Sequence, residues 1–586
     1  SPSLSRARAR PPRPHGPLVP ASPGNPKRHV LVSRLEESIV RDGRTIELGV
    51  GLYRRAVAPT GHQFLQEFTA SPAPITRWRA GDVVLEREVR AVAGTRATLV
   101  RYTLVESSAP VLLVLRPFLP CRESEALTVR NDELDGAAQA LPDGIRLRPY
   151  AALPALELRV SPAADARFEA APDWYRDVLY PDDIAIGHDG AEDTFTPGRL
   201  LARLAAGDAL VVALSIEPLD APLEACWEAA APPPLADGAD TRTRLRHAAP
   251  AYLVRADDGR RGVNAGFPWF GEWGRDAFIA LPGLTLARGD RETCAEVLAG
   301  AAPWLRHGRL PNVWRDTPES SCYRAIDPAL WYVRAAGLYD DARGDRDVVR
   351  DRLLPAVREV VLAHLGAADE VVRRRPDGLL ATGSPDFAFT WMDCLPFRRG
   401  ARYGTCVEIN ALWYAALVRL ARWEQRLGSR AEARRLRTEA RRVGDAFLAA
   451  FRRDDGFGLR DSVDGSGDGA FVRPNMVIAA ALADSPLSRA DRRVVVDVAR
   501  AELLTPRGLR TLSPRHTAYR GVYRGNEDAR NAAYHMGTAW PWLLGFYVEA
   551  RLRAEGRSPE LRRELRELLD GFGPHLDEGC LGHVAE

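Results

Sequence analysis

Lysine occurs once in the 586 residues, at Lys27, methionine three times and cysteine seven times. No two cysteines form a C-x-x-C pair and the odd number leaves one over, so neither a disulfide framework nor a zinc site is read from them. A reducing cytoplasm is the expected location. No apolar run approaches the roughly 18 residues of a membrane span. The opening SPSLSRARARPPRPHG carries arginines and prolines without an apolar segment, which argues against a signal peptide. The chain begins without methionine, so a fragment or a removed leader stays open. Excess charge is lacking too: 81 basic residues against 78 acidic ones leave +3, too little for a nucleic-acid or membrane partner drawn by long-range electrostatics. A neutral substrate fits better. Metal-ligand clusters, a phosphate-cradling glycine loop and a Ser-His-Asp arrangement are not evident, and no cofactor is expected. Carboxylate pairs such as that in LEESI read as solvated faces.

The length exceeds what one hydrophobic core usually organises, so two large domains are expected. From about Val30 to Pro218, short alternating or β-branched runs (DVVLEREVRAV, TRATLVRYTLV, PVLLVLRPFL, DALVVALSI) are broken by Gly, Pro and Asp. That spacing predicts a β-sandwich, assigned to residues 1–225. The stretch EAAAPPPLADGAD, within 226–240, reads as a linker. From 241 to 586 the periodicity is helical, with stretches near 241–256, 275–288, 291–306, 325–342, 346–368, 404–425, 429–452, 473–484, 488–503, 536–555 and 558–571. Every second connection is enlarged and holds Trp, Tyr, Asp, His and Gly; the others are tight. Helical hairpins closing in a ring, an (α/α)6 barrel, would do this. The count falls one helix short of six pairs, so the barrel is expected to lack its last inner helix.

The first enlarged loop, AGFPWFGEWGRDAFIALPGL at 265–284, brings Trp269, Trp273, Arg275 and Asp276 to the start of a helix. Aromatic faces for sugar C–H groups beside a charged pair for hydroxyls suit a carbohydrate pocket. A buried aromatic cluster with an ion pair, Asp276 simply favouring the helix N-terminus, is the plainer alternative.

This loop is similar, nearly residue for residue, to the signature of the bacterial and archaeal glycogen-debranching family. SCYRAIDPALWY, FTWMD, CVEINALWYAAL, FVRPNM, GLRTLSP, AYHMGTAWPWLLG and GCLGHVAE follow in the family's order. RHVLVSRLEESI, APTGHQFLQEF and VLRPFLPCRESEALT carry the resemblance through the first half. The resemblance implies an exo-acting amylo-α-1,6-glucosidase that removes the glucose stub at a glycogen branch point with inversion. Two carboxyl groups, roughly 6.5 to 9.5 Å apart, are then needed. The family's general acid falls on Asp393 of FTWMD and its base on Glu586. Trp391 would desolvate Asp393 and raise its pKa. Arg275 and Asp276 match the pair that holds hydroxyls of the terminal glucose in glucoamylase-like barrels. Tyr323 and Asp327 match the next mouth loop, Asp327 being a substrate ligand, a helix cap or a reserve acid. Glu408 either accepts substrate hydroxyls or favours its helix N-terminus, with Asn410 beside it. His535 and Trp540 stand in the last mouth loop, His535 as a sugar or carboxylate partner or as scaffold; the family more often has glutamine where Met536 stands. Arg473 and Asn475 are equally plausible as scaffold.

The family motif continues past its glutamate, so the chain is expected to be cut there, with little activity of its own. No βαβ repetition is present to build a 4-α-glucanotransferase barrel, and that activity is implied by family name alone. Two alternatives have the same architecture or substrate: another barrel glycosidase or phosphorylase, glucoamylase-like or trehalase-like, and a non-catalytic glucan-binding protein. Branched α-glucan is the expected partner in each case, and oligomeric state is not legible.

Overall fold

The computed structural model describes residues 16–22, 25–69, 72–236, 238–256, 258–267, 270–393, 402–465, 471–578 and 582–584. The chain divides into two compact units, Ser1–Ala239 and Asp240–Glu586.

The first unit is built from an eight-stranded and a seven-stranded antiparallel sheet. Strand period decides what each strand buries: in Val111–Phe118 the side chains of Val111, Leu113 and Leu115 are buried while Leu112 and Val114 are only partly so. One hydrophobic core takes Ile39, Leu113, Leu115 and Ala202 from the seven-stranded sheet and Leu85, Tyr102, Leu158 and Val212 from the eight-stranded one. Two sheets sharing one core are a β-sandwich.

The other face of the eight-stranded sheet is covered where a linker was expected. Leu223–Ala229 is a helix whose Cys226 and Trp227 pack on Leu99, Val211 and Ala213. The guanidiniums of Arg90 and Arg101 lie 3.9 and 4.6 Å from the Trp227 ring, and Arg90 donates to its carbonyl. Leu, Glu and Ala are good helix formers and the buried indole anchors the turn to the sheet, so the irregular stretch starts only after it, at the run of prolines.

Among the described residues of the second unit, the α-helices of seven residues or more are α1 (Thr241–Ala248), α2 (Gly274–Leu284), α3 (Arg291–Ala301), α4 (Asp327–Asp341), α5 (Leu354–Leu365), α6 (Val407–Leu427), α7 (Arg430–Phe451), α8 (Asn475–Ala481), α9 (Arg489–Glu502), α10 (Glu527–Tyr534), α11 (Leu543–Glu555) and α12 (Pro559–Asp570). Two kinds of helix alternate. In α8 every residue is buried, and α4 is buried on nearly all sides. In α7 the buried positions are Ala433, Leu436, Ala440, Val443, Gly444, Phe447 and Phe451, a single stripe at three- and four-residue steps. A helix apolar all round is an inner one; a striped helix lies outside and covers it. Helices pack in succession, α2 on α4, α4 on α6, α6 on α8 and α8 on α11, while α7 lies on α6 and α9 on α11.

Two sequence expectations need correction. The helix read over 241–256 stops at Ala248; Pro250 lacks the N–H that would continue it, and Leu253–Arg255 pairs as a strand with Arg261–Val263. The helix read from 536 begins at Leu543, because Gly537 takes φ 148° and Ala539–Trp540 forms a strand against Gly508–Arg510. The polar helix α10 was not foreseen; the Asn526 side chain accepts from the Ala529 N–H and caps it. Among the described residues no helix is long and apolar enough to cross a membrane.

Candidate active site

Gly274 opens α2 against the Pro311 carbonyl, an approach that leaves no room for a Cβ, and this sets Arg275 at the helix start. Asp327 opens α4, with Pro328 behind it at a position where its missing N–H costs nothing. The two side chains meet as a fork: Arg275 Nε donates to Asp327 Oδ2 at 2.6 Å and Nη2 to Oδ1 at 2.9 Å. Burial opposes the charge on Arg275, yet the charge and hydrogen bonds of Asp327, with Asp393 and Asp276 nearby, hold its pKa above the ordinary arginine value. Its Nη1 lies 3.9 Å from Asp393 Oδ2. Asp276 is reachable by solvent, although surrounding protein desolvates it enough to raise its pKa against the pull of Arg275.

Asp393 sits in the long connection between α5 and α6. His535, at the end of α10, approaches from the side opposite in sequence, with Nε2 3.9 Å from Asp393 Oδ1. The Asp393 side chain is 36% exposed, against 2% for Asp327 and 1% for His535. With Asp276 it is one of two carboxyl groups here that an entering ligand reaches, and the one that lies between Arg275 and His535. Trp391 is buried; its Nε1 donates to Asn475 Oδ1 at 2.6 Å, and its ring meets those of His535, Trp540 and Trp542 edge-on at 5.1 to 6.1 Å between centroids. Trp391 therefore braces the loop from below and offers little surface to a sugar. Trp540 and Trp273 remain half-exposed, and the Tyr323 hydroxyl donates to the Trp304 carbonyl at 2.8 Å. Trp269 and Glu586 lie outside the described residues.

Glu408 is corrected from substrate ligand to scaffold. It is 1% exposed, and both its oxygens accept from Arg402, Nη1 to Oε1 at 2.6 Å and Nη2 to Oε2 at 2.9 Å. Arg402 Nε also lies 2.6 Å from Asp461 Oδ2. Burial opposes the charge on Arg402, and the attraction of Asp461 and Glu408 more than offsets it, raising its pKa. Arg473, with less compensation, is lowered by burial to about 10. Asn410 also serves the fold: its amide accepts from the Leu380 N–H and donates to the Leu380 carbonyl. Arg402, Asp461 and Trp542 escaped the sequence reading. Arg402 stands in the basic run FRRGAR, which looks like a solvated loop, and only its position six residues before a buried glutamate hinted otherwise.

Thus the starts of α2 and α4, the loop before α6 and the end of α10 bring together a fork-held guanidinium, a reachable carboxyl group, an imidazole and half-exposed aromatic rings. Such a set can hold hydroxyls and exchange a proton. Among the described residues no group of three or more His, Cys, Asp or Glu is placed to hold a metal ion.

Comparison with known proteins agrees in both units. The family profile described as amylo-alpha-1,6-glucosidase matches residues 247–586, and that described as glycogen debranching enzyme N terminal matches residues 3–211. The glycogen debranching enzyme of Saccharomyces cerevisiae is 24% identical over 381 residues, covering 49% of this chain and 25% of the yeast protein. The chain thus spans well under two thirds of that relative. A crystal structure of bacterial glucoamylase complexed with acarbose has the same fold over 96% of this chain and 84% of its own, with a TM-score of 0.58 at 10% identity. With more than half of its length matched by one profile, this chain belongs to the amylo-α-1,6-glucosidase family.

Proposed function

We propose that the protein hydrolyses α-1,6-linked single glucose residues at the branch points of glycogen-type limit dextrins, by an inverting mechanism with two carboxyl groups. The observation that carries this reading is the exposure of the Asp393 carboxyl between the buried side chains of Arg275 and His535. Asp393, protonated, donates to the glycosidic oxygen as the bond breaks. A water on the opposite face of the sugar attacks the anomeric carbon, with Glu586 as the base that takes its proton. Bond breaking and attack on opposite faces give β-glucose from an α-linkage, and no covalent intermediate forms.

Arg275 and Asp276 hold hydroxyls of the terminal glucose, with Trp273 and Trp540 as apolar walls. The fork to Asp327 fixes the Arg275 guanidinium before substrate arrives, so little ordering is left to the binding step. The helical unit is read as an (α/α)6 barrel with the site at the N-terminal ends of its inner helices, supported by their successive packing and by the glucoamylase likeness in fold. The described cysteines Cys121, Cys226, Cys294, Cys322 and Cys406 form no disulfide, which suits the cytoplasm.

The test is a comparison of substrates and products. Free glucose released from a phosphorylase limit dextrin, but not from linear α-1,4 oligosaccharides, is the expected result. Glucose 1-phosphate formed only when inorganic phosphate is added would instead make the protein a phosphorylase, and binding without turnover would make it a glucan-binding protein.

A further inference from the structure

We propose that Asn475, which touches no substrate in this reading, is a positioning residue that fixes Asp393 through the indole of Trp391. The inference rests on Asp393 being the proton donor. Three sets of contacts carry it.

Asn475 is fully buried at the first position of α8 and uses both ends of its amide. Oδ1 accepts from Trp391 Nε1 at 2.6 Å, and Nδ2 donates to Asp461 Oδ1 at 2.8 Å. The orientation of the amide is thereby determined: only this way round does each partner find its complement. Next along the chain, Met392 is held by the same cluster. Its carbonyl accepts from the Arg402 N–H at 3.1 Å, and its sulfur lies 3.4 Å from Arg473 Nη1 and 3.5 Å from Asn475 Nδ2. Finally, Arg473 Nη1 donates at 2.7 Å to the carbonyl of His535, the residue on the far side of the Asp393 carboxylate.

The two residues that precede Asp393 in the chain, Trp391 and Met392, and His535 beside its carboxylate are therefore tied to one buried cluster. Its charges are Arg402, Arg473, Glu408 and Asp461, two of each sign, with side chains 1 to 5% exposed. Apolar residues of similar volume would often stabilise such a core equally or better. What the polar cluster adds is direction, since hydrogen bonds constrain angle as well as distance. Trp391 stands two residues before Asp393 in one loop, so the bond that anchors its indole also anchors the segment from which the carboxyl group projects. The sugar-holding fork of Arg275 and Asp327 springs from α2 and α4 and does not share these bonds.

The proposal separates kcat from KM. Asn475→Ala, Trp391→Phe and the double variant are compared with wild type on a phosphorylase limit dextrin, with thermal melts alongside. Trp391→Phe keeps a ring in place and removes the N–H, so it reports on the same bond even where Asn475→Ala does not fold. Each single variant is expected to lose on the order of 10- to 100-fold in kcat, the scale of a misplacement of about 1 Å, with KM within about twofold. The double variant should be no slower than the slower single one, because one bond is lost only once. Lowered melting temperatures with unchanged kcat per folded molecule, losses that fall on KM, or losses that multiply in the double variant would each overturn the positioning role while leaving the hydrolase reading intact. A wild-type protein that releases no glucose overturns that reading, and this proposal with it.

Discussion

Arg275 and Asp327 are 52 positions apart and join the first turns of two inner helices through two parallel hydrogen bonds of 2.6 and 2.9 Å. The fork leaves the remaining guanidinium nitrogen, Nη1, 3.9 Å from Asp393, so one arginine both closes the helix pair and sets the electrostatics of the reachable carboxyl group.

Arg275→Lys should therefore harm stability and catalysis together. An ammonium is a point donor and does not reproduce the fork. Leaving Asp327 imperfectly paired at 1% exposure should cost up to about 3–5 kcal/mol, the range for a broken buried pair. Chemical denaturation and kcat/KM measured on the same preparation check this; a variant that melts like wild type and cleaves at its rate would show the pair to be dispensable.

Glu408→Ala separates scaffold from substrate contact. Removing the carboxylate leaves Arg402 buried beside a single remaining carboxylate neighbour, Asp461, and stability should fall by about 3–5 kcal/mol with KM little changed. A raised KM at full stability would return Glu408 to the sugar-binding set.

Asp276 gives a pH signature. Its pKa is raised, chiefly by desolvation, so the folded protein holds this proton more tightly than the unfolded chain. That contribution is complete below the ordinary aspartate pKa of about 3.9 and is lost as pH rises through the raised value. Asp276→Asn carries no such titration. Its melting temperature should gain on wild type between about pH 4 and neutrality, while its KM for the dextrin rises. A melting-temperature difference constant across that window would contradict the assignment.

Trp227→Ala should lower the unfolding transition of the first unit by about 3–5 kcal/mol, the cost of emptying a buried indole site. Two guanidiniums would also lose the ring between them. Retention of the wild-type transition would mean that the helix Leu223–Ala229 is indeed no more than a linker.

Part of this is legible in the sequence. Period-two and period-3.6 patterns separate the β-rich from the helical part, the first enlarged loop points to Trp273, Arg275 and Asp276, and the family resemblance points to Asp327, Asp393 and His535. Local sequence does not encode which distant charges pair. Arg275 and Asp327 were each singled out, but their fork depends on two helix starts being neighbours in space. Glu408 looked like a mouth residue because it begins a helix after an enlarged loop; that it faces Arg402 follows from the path of the preceding segment, and Arg402 itself resembled surface. The helices near Pro250 and Gly537 were read too long because apolar periodicity ran on past residues whose backbone geometry stops a helix.

The most direct test of the account is the anomer released. A limit dextrin is incubated with wild type and with Asp393→Asn, and fresh glucose is followed by proton NMR before mutarotation. Wild type should release β-glucose, and the variant should be slower by roughly 10²- to 10⁴-fold, the usual contribution of a general acid, with its fold intact. Release of α-glucose, or undiminished release by the variant, would contradict an inverting glucosidase with Asp393 as its acid.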